Sequence, residues 1–163
     1  MSAIGMSGAL LAFMLGVIAL TFTAIGIPVL NEVDFSPAED YMPIWVELYN
    51  TGNDALDISG WLVEIVEPPW RGDIFIPQGT IIYGKEYLVL SGDSRWVHGS
   101  GGVVILKNAA GLELDRTPLL EDNRTDEFTW GRYPDGMDTG RRSDWAYIRA
   151  TRGFPNADQY YSY

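Results

Sequence analysis

The sequence predicts an all-β antiparallel sandwich preceded by one N-terminal hydrophobic helix. Two observations carry this. From Glu32 onward, short alternating apolar runs of Val, Ile, Leu, Tyr and Trp are separated by Gly, Pro, Asn and Asp clusters, the pattern of half-buried strands and turns. Before that point no residue from Met1 to Asn31 is charged.

From Ala3 to Ile27 every residue is apolar, small or hydroxylated. As a helix these 25 residues would reach about 37 Å, against about 30 Å of bilayer hydrocarbon. Pro28 closes the segment because it lacks the amide donor and disfavours helical geometry at Ile27. A membrane anchor over residues 1–28 is therefore expected. Gly8, Ala12 and Gly16 recur at four-residue spacing and would let two such helices approach closely, in a membrane or in a filament core. A cleaved leader is the rival reading, with Ala24-Ile25-Gly26 as a small-x-small site. Against it, the apolar run exceeds the usual leader length and no Lys or Arg precedes it.

Seven strands are expected: 29–35, 44–50, 58–66, 74–76, 81–91, 103–108 and 112–115. Turns fall at Asn50–Asp54, Pro77–Gly79, Tyr83–Lys85, Gly99–Gly102 and Asn108–Gly111. Within the second strand Ile44, Val46 and Leu48 share one face, expected to face the core, and Trp45, Glu47 and Tyr49 share the other. Residues 119–126 read as a polar surface loop.

Net charge is −11, with nine acids and no base between Glu32 and Trp70. General attraction to nucleic acid or anionic lipid is thereby disfavoured. There is no cysteine, so disulfides, thiolate nucleophiles and cysteine metal sites are excluded. His98 is the single histidine and sits in a predicted hairpin loop, where a solvated side chain is favoured over a general base for a Ser or Thr nucleophile. Glu32 and Glu47 are a candidate carboxylate pair on adjacent strands, of the kind that hydrolyses glycosides when correctly separated; the structural reading, acceptance of hydrogen bonds, is favoured for both.

Calcium is the ion best suited to irregular acidic loops. Its candidate ligands are Asp122 and Asp126 in one loop and Asp135 and Asp138 in another, without EF-hand spacing. Arginines 124, 132, 141, 142, 149 and 152 interleave with Trp130, Tyr133, Trp145 and Tyr147. Ion pairs and stacking within the fold explain this stretch more simply than a nucleic-acid surface. Asn123-Arg124-Thr125 is a glycosylation sequon, and residues 158–163 form a Tyr-rich tail.

Several segments together resemble the lamin tail domain family. They are Leu30-Asn31-Glu32-Val33, Trp45 to Asn50 followed by Thr51-Gly52, Asp57 to Trp61, Ile76-Pro77 with Gly79, Tyr87 to Leu90, Val104 to Gly111, Trp130 to Gly136, and Thr151 to Asn156. The match spans 29–157 and is closest to the stand-alone, membrane-linked prokaryotic and archaeal members, since no coiled-coil rod precedes the domain. The sequence departs from the family at Arg152-Gly153, where Pro-Gly is frequent. The resemblance implies an immunoglobulin-like sandwich in which Asn31, Glu32, Glu47, Gly60, Trp61, Trp130, Arg132, Pro134, Gly136 and Asn156 are structural.

The expected function is a non-enzymatic, membrane-anchored, extracytoplasmic interaction or assembly module of the cell surface, partnered by other surface proteins or by itself, with no cofactor and no small-molecule substrate. Two alternatives stand beside it. One is a pilus-like surface filament with helices in its core and sandwiches outside. The other is an accessory domain that binds polysaccharide or nucleic acid.

Overall fold

A computed structural model describes residues 26–38, 43–96 and 100–156. The expected N-terminal helix with Gly8, Ala12 and Gly16, the loop residue His98 and the tail 158–163 lie outside the described residues. Among the described residues, no helix is long and apolar enough to cross a membrane.

The described chain is all-β with antiparallel sheets. Its strands are β1 (Pro28–Asp34), β2 (Trp45–Asn50), β3 (Leu56–Asp57), β4 (Leu62–Glu67), β5 (Trp70–Phe75), β6 (Ile81–Ile82), β7 (Tyr87–Ser91), β8 (Gly101–Lys107), β9 (Glu113–Arg116), β10 (Leu120–Glu121), β11 (Phe128–Arg132) and β12 (Trp145–Arg149). One sheet has the order β12-β11-β1-β2-β7. The other has the order β10-β8-β4-β5, with β9 also paired to β8, and β3 pairs with β6. Leu30, Val33, Val46, Leu48 and Leu90 of the first sheet share one apolar core with Val63, Ile65, Ile74, Val104 and Leu106 of the second.

Differences from the expected strands have local causes. The run 58–66 is broken at Gly60, whose φ of 71° is left-handed, so β4 starts at Leu62. The run 81–91 is broken at Lys85, with φ 61°. Residues 119–126 are not simply a surface loop. Leu120 is buried and pairs with Gly102, because Gly101 and Gly102 present no side chain where the backbones meet. β11 and β12 were not among the expected strands; their hydrophobic positions, Phe128 and Trp130, and Trp145, Tyr147 and Ile148, are interleaved with Thr, Gly, Ala and Arg.

In β2 and the residue before it, the aliphatic set Ile44, Val46 and Leu48 faces the core as expected, yet Trp45 and Glu47 on the opposite face are equally buried. The cover comes from residues 151–153, which form no strand but bond to the outward side chains of β1 and β2. A sheet covered on both faces loses the apolar-in, polar-out signature.

At the other side of the molecule, Trp96 bridges the edge strand β5 and the end of β7. A Cβ at Gly72 would lie 2.5 Å from the Trp70 ring and 2.9 Å from the Trp96 ring, and a Cβ at Gly92 would collide with the Trp96 ring. The two indoles meet edge to face at 5.3 Å, a favoured aromatic geometry. Gly92→Ala is expected to lower unfolding free energy by about 1–3 kcal/mol through overpacking. In a Trp96→Ala background the same change should be nearly neutral, a coupling that a denaturant-melt double-mutant cycle measures directly.

Candidate functional site

The densest set of buried polar groups lies where β1 and β2 meet the segment Thr151–Asn156. It originates in a β-bulge. Leu30 pairs with Leu48 and Glu32 with Glu47, so Asn31 is the extra residue. Without that insertion the core positions Leu30 and Val33, three apart, would fall on opposite faces of the strand. With it both point inward, and Glu32 points outward beside Glu47.

Two carboxylates directly opposite one another repel, and both are fully buried at 0% exposure. The C-terminal segment supplies donors. Thr151 N–H donates to Glu32 Oε1 at 2.9 Å, and Arg152 N–H to Glu32 Oε2 at 3.3 Å. Gly153 N–H donates to Glu47 Oε2, and Asn31 Nδ2 donates to Glu47 Oε1 at 3.0 Å. Burial pushes Glu32 up to about 8, with Glu47 adding repulsion against the pull of the Thr151 N–H. Burial also pushes Glu47 up to about 7, opposed by the Asn31 and Gly153 donors.

The Thr151 hydroxyl lies 2.8 Å from both Glu32 Oε2 and Asn156 Oδ1. The Asn156 amide is oriented by Nδ2, which donates to the carbonyls of Asn31 and Arg132. The Thr151 hydroxyl, donor to Glu32 Oε2, thus ties the Glu32 carboxyl to the Asn156 amide.

Asp135 extends the network. It accepts from Asn31 Nδ2 at 2.8 Å, Tyr87 O–H at 2.9 Å and Asn156 N–H at 3.1 Å. Gly136, at φ 70°, turns its N–H onto Asn31 Oδ1 at 2.9 Å and packs against Tyr49 and Thr51, where a Cβ would intrude.

Arg132 links the two sheets. Its Nη2 donates to Asp115 Oδ1 and Oδ2 at 2.8 and 2.9 Å, both side chains being buried. Asp115 Oδ2 also accepts the Leu30 N–H at 2.8 Å. Burial raises Asp115 to about 6 against the pull of Arg132 and the Leu30 N–H. Arg132 Nη1 reaches Asp138 at 3.0 Å and the Met137 carbonyl.

Asn31, Glu32, Glu47, Arg132, Gly136 and Asn156, far apart in sequence, are thus brought together. Gly60 and Trp61 lie elsewhere, in the turn into β4 where Trp61 N–H bonds Ile58 O. Trp130 donates from Nε1 to Glu121 O at 2.9 Å, and Pro134 follows Tyr133 through a cis peptide. The four calcium candidates are not one constellation. Asp122 and Asp126 share the Tyr147 hydroxyl at 2.8 and 3.3 Å, whereas Asp135 and Asp138 serve the network and Arg132. Among the described residues, no group of three or more His, Asp or Glu side chains is arranged to hold a metal ion. Asn123 is exposed.

The arginine and aromatic stretch stacks on itself. Arg124 lies 4.4 Å from the Tyr147 ring centroid, Arg142 4.0 Å from Trp130, Arg132 5.1 Å from Trp145 and Arg152 5.5 Å from Trp45. Thr151, Tyr87 and Asp115 were missed as members of the network. An acid at an inward strand position was the available signal for Asp115; nothing local marks the other two.

Chemically, the cluster holds protons and fixes the C-terminal segment. Glu32 and Glu47 bind more protons in the folded chain than at the ordinary Glu value of 4.5, so stability falls as pH rises from about 4.5 through about 8. Thermal melts should show a higher Tm at the acidic end of that window, and Glu47→Gln should flatten the slope. Asp115→Asn leaves Arg132 buried beside a neutral partner and should cost about 3–5 kcal/mol, whereas Asp138→Asn, a partly exposed partner, should cost less than about 1 kcal/mol in the same urea melts.

Neither protein-family models nor curated proteins give a match to this sequence.

Proposed function

We propose that this chain is a non-enzymatic, membrane-anchored module of the cell surface, whose immunoglobulin-like β-sandwich of the lamin tail type mediates protein interaction or assembly outside the cytoplasm. The observation that carries the reading is the seating of the junction. Gly26 packs directly on Gly52, leaving no space for a Cβ on either. The Ile27 carbonyl accepts from Thr51 Oγ1 at 3.0 Å, and β1 begins at Pro28. In this reading the uncharged stretch before Gly26 is the anchor, and Gly26 and Ile27, held against the β2–β3 turn, fix where the head begins.

The polar interior supports the non-enzymatic part of the reading. Glu32 and Glu47, the pair with hydrolytic potential, are buried beneath residues 151–153 and spend their oxygens on its donors. In this proposal surface partners, or a second copy of the chain, engage the head, and calcium, nucleic acid and small-molecule substrates have no part.

Membrane fractionation followed by intact mass spectrometry of the native protein tests the anchor. The protein should float with membranes and retain Met1 or Ser2 at its N-terminus; a soluble species starting at Ile27 would overturn the proposal. Electron microscopy of the purified full chain in detergent should show discrete particles, and filaments would instead establish the pilus-like alternative. Binding of the full chain to polysaccharide on a glycan array, or to DNA at low salt, would favour the accessory-domain alternative.

A further inference from the structure

The end of the first sheet that receives the N-terminal stretch carries a set of exposed apolar side chains. Three turns gather there around Gly26 and Ile27. The β2–β3 turn contributes Gly52, against which Gly26 packs, and Thr51, which holds the Ile27 carbonyl. The β6–β7 turn lies on it: Gly84 abuts the Asn53 backbone, and Lys85 N–H donates to the carbonyls of Asn50 and Gly52 at 3.0 and 3.1 Å. The turn after β11 is the third, with Gly136 against Thr51 Cγ2.

The β6–β7 turn, the turn after β11 and the junction itself each expose an apolar side chain. Ile27 is 48% exposed, Tyr83 58% and Met137 37%. Tyr83 precedes Gly84 and Met137 follows Gly136, so their backbones are fixed by the contacts just described. Lys85, whose Nζ donates to the Thr51 carbonyl, stands in the same turn as Tyr83. Exposed apolar side chains at one end of the sheet, with a tyrosine and a lysine among them, are what the boundary between hydrocarbon and headgroups accepts. Asp54 and Glu86 are also exposed near this end, so its net charge is not positive and neutral, zwitterionic headgroups suit it better than anionic ones.

We propose that this end of the head, through Ile27, Tyr83 and Met137, rests in the interfacial layer of the bilayer that the N-terminal stretch enters. The inference builds on the anchor reading above and adds a second, non-spanning contact. The chain itself names the occupant: the 25 residues before Gly26 carry no charge and are apolar, small or hydroxylated, and Gly26 and Ile27 lead from them into β1 at this end. The contact sets the tilt of the head and leaves the opposite end, at Trp45 and Ser91, farthest from the membrane.

The native chain has no cysteine, so single nitroxide labels are unambiguous. Full-length Tyr83→Cys, Met137→Cys and Arg95→Cys, the last an 87% exposed side chain beyond the far end of β7, are reconstituted in phosphatidylcholine vesicles. Collision with oxygen and with a water-soluble nickel complex is then read by power-saturation spectroscopy. Oxygen should dominate at positions 83 and 137 and nickel at 95, with the oxygen-to-nickel ratio several-fold higher at the first two. Nickel access at all three positions in vesicle-bound protein would overturn the inference and leave the anchor standing. Exclusion of both reagents at 83 and 137 would overturn it in favour of contact with another protein copy. Protein that fails to float with the vesicles would overturn both. Wild-type circular dichroism in each variant excludes misfolding as the cause.

Discussion

The extra residue at Asn31 is the constraint on which the remaining architecture depends. A strand alternates its side chains strictly, so a single inserted residue changes the face of everything beyond it. Here it allows Leu30 and Val33 both to enter the core while Glu32 turns outward opposite Glu47. The Asn31 side chain, displaced by the bulge, then bonds Glu47, Asp135 and the Gly136 N–H. Beside the bulge, Asp115 takes the Leu30 N–H and carries Arg132 with it. One backbone irregularity thus specifies a cross-sheet ion pair on the inside and a carboxylate network on the outside.

The outward carboxylates are a stability cost unless something covers and serves them. Residues 151–156 do both, though they form no strand. Their order comes from side chains of β1 and β2 accepting their backbone N–H groups, the reverse of the usual case in which backbone pairs with backbone. Proton uptake by Glu32 relieves repulsion from Glu47.

Much of the fold was legible because the first strands follow simple alternation: Val46 and Leu48 in β2, and Val104 and Leu106 in β8, are core residues by pattern alone. The pattern fails at β11 and β12. Trp130 and Tyr147, both half-buried, face an arginine-rich surface there, with Arg142 and Arg124 laid over the rings. The site was legible in its pieces but not in its assembly. Glu32, Glu47, Asn31 and Asn156 were singled out individually. No local signal says that Thr151 meets Glu32, 119 residues away, since that contact exists only after the two sheets have formed. Loop acids such as Asp135 look like solvated or metal-binding residues until the N–H groups of a distant segment are placed against them.

The strand order has a consequence for how the chain comes into being. β1, the first strand, lies in the interior of its sheet between β2 and β11, and its outward face is closed by residues beyond position 150. During synthesis β1 and β2 can pair early, but one edge of β1 and the buried face bearing Glu32 and Glu47 stay open to water until almost the whole chain has left the ribosome. Pairings of such sequence separation form late and slowly. Glu32 and Glu47, with the other acids of the early part of the head, keep that unfinished edge hydrated and mutually repelling, so carboxylates that the finished molecule covers protect the nascent one from sticking to its neighbours.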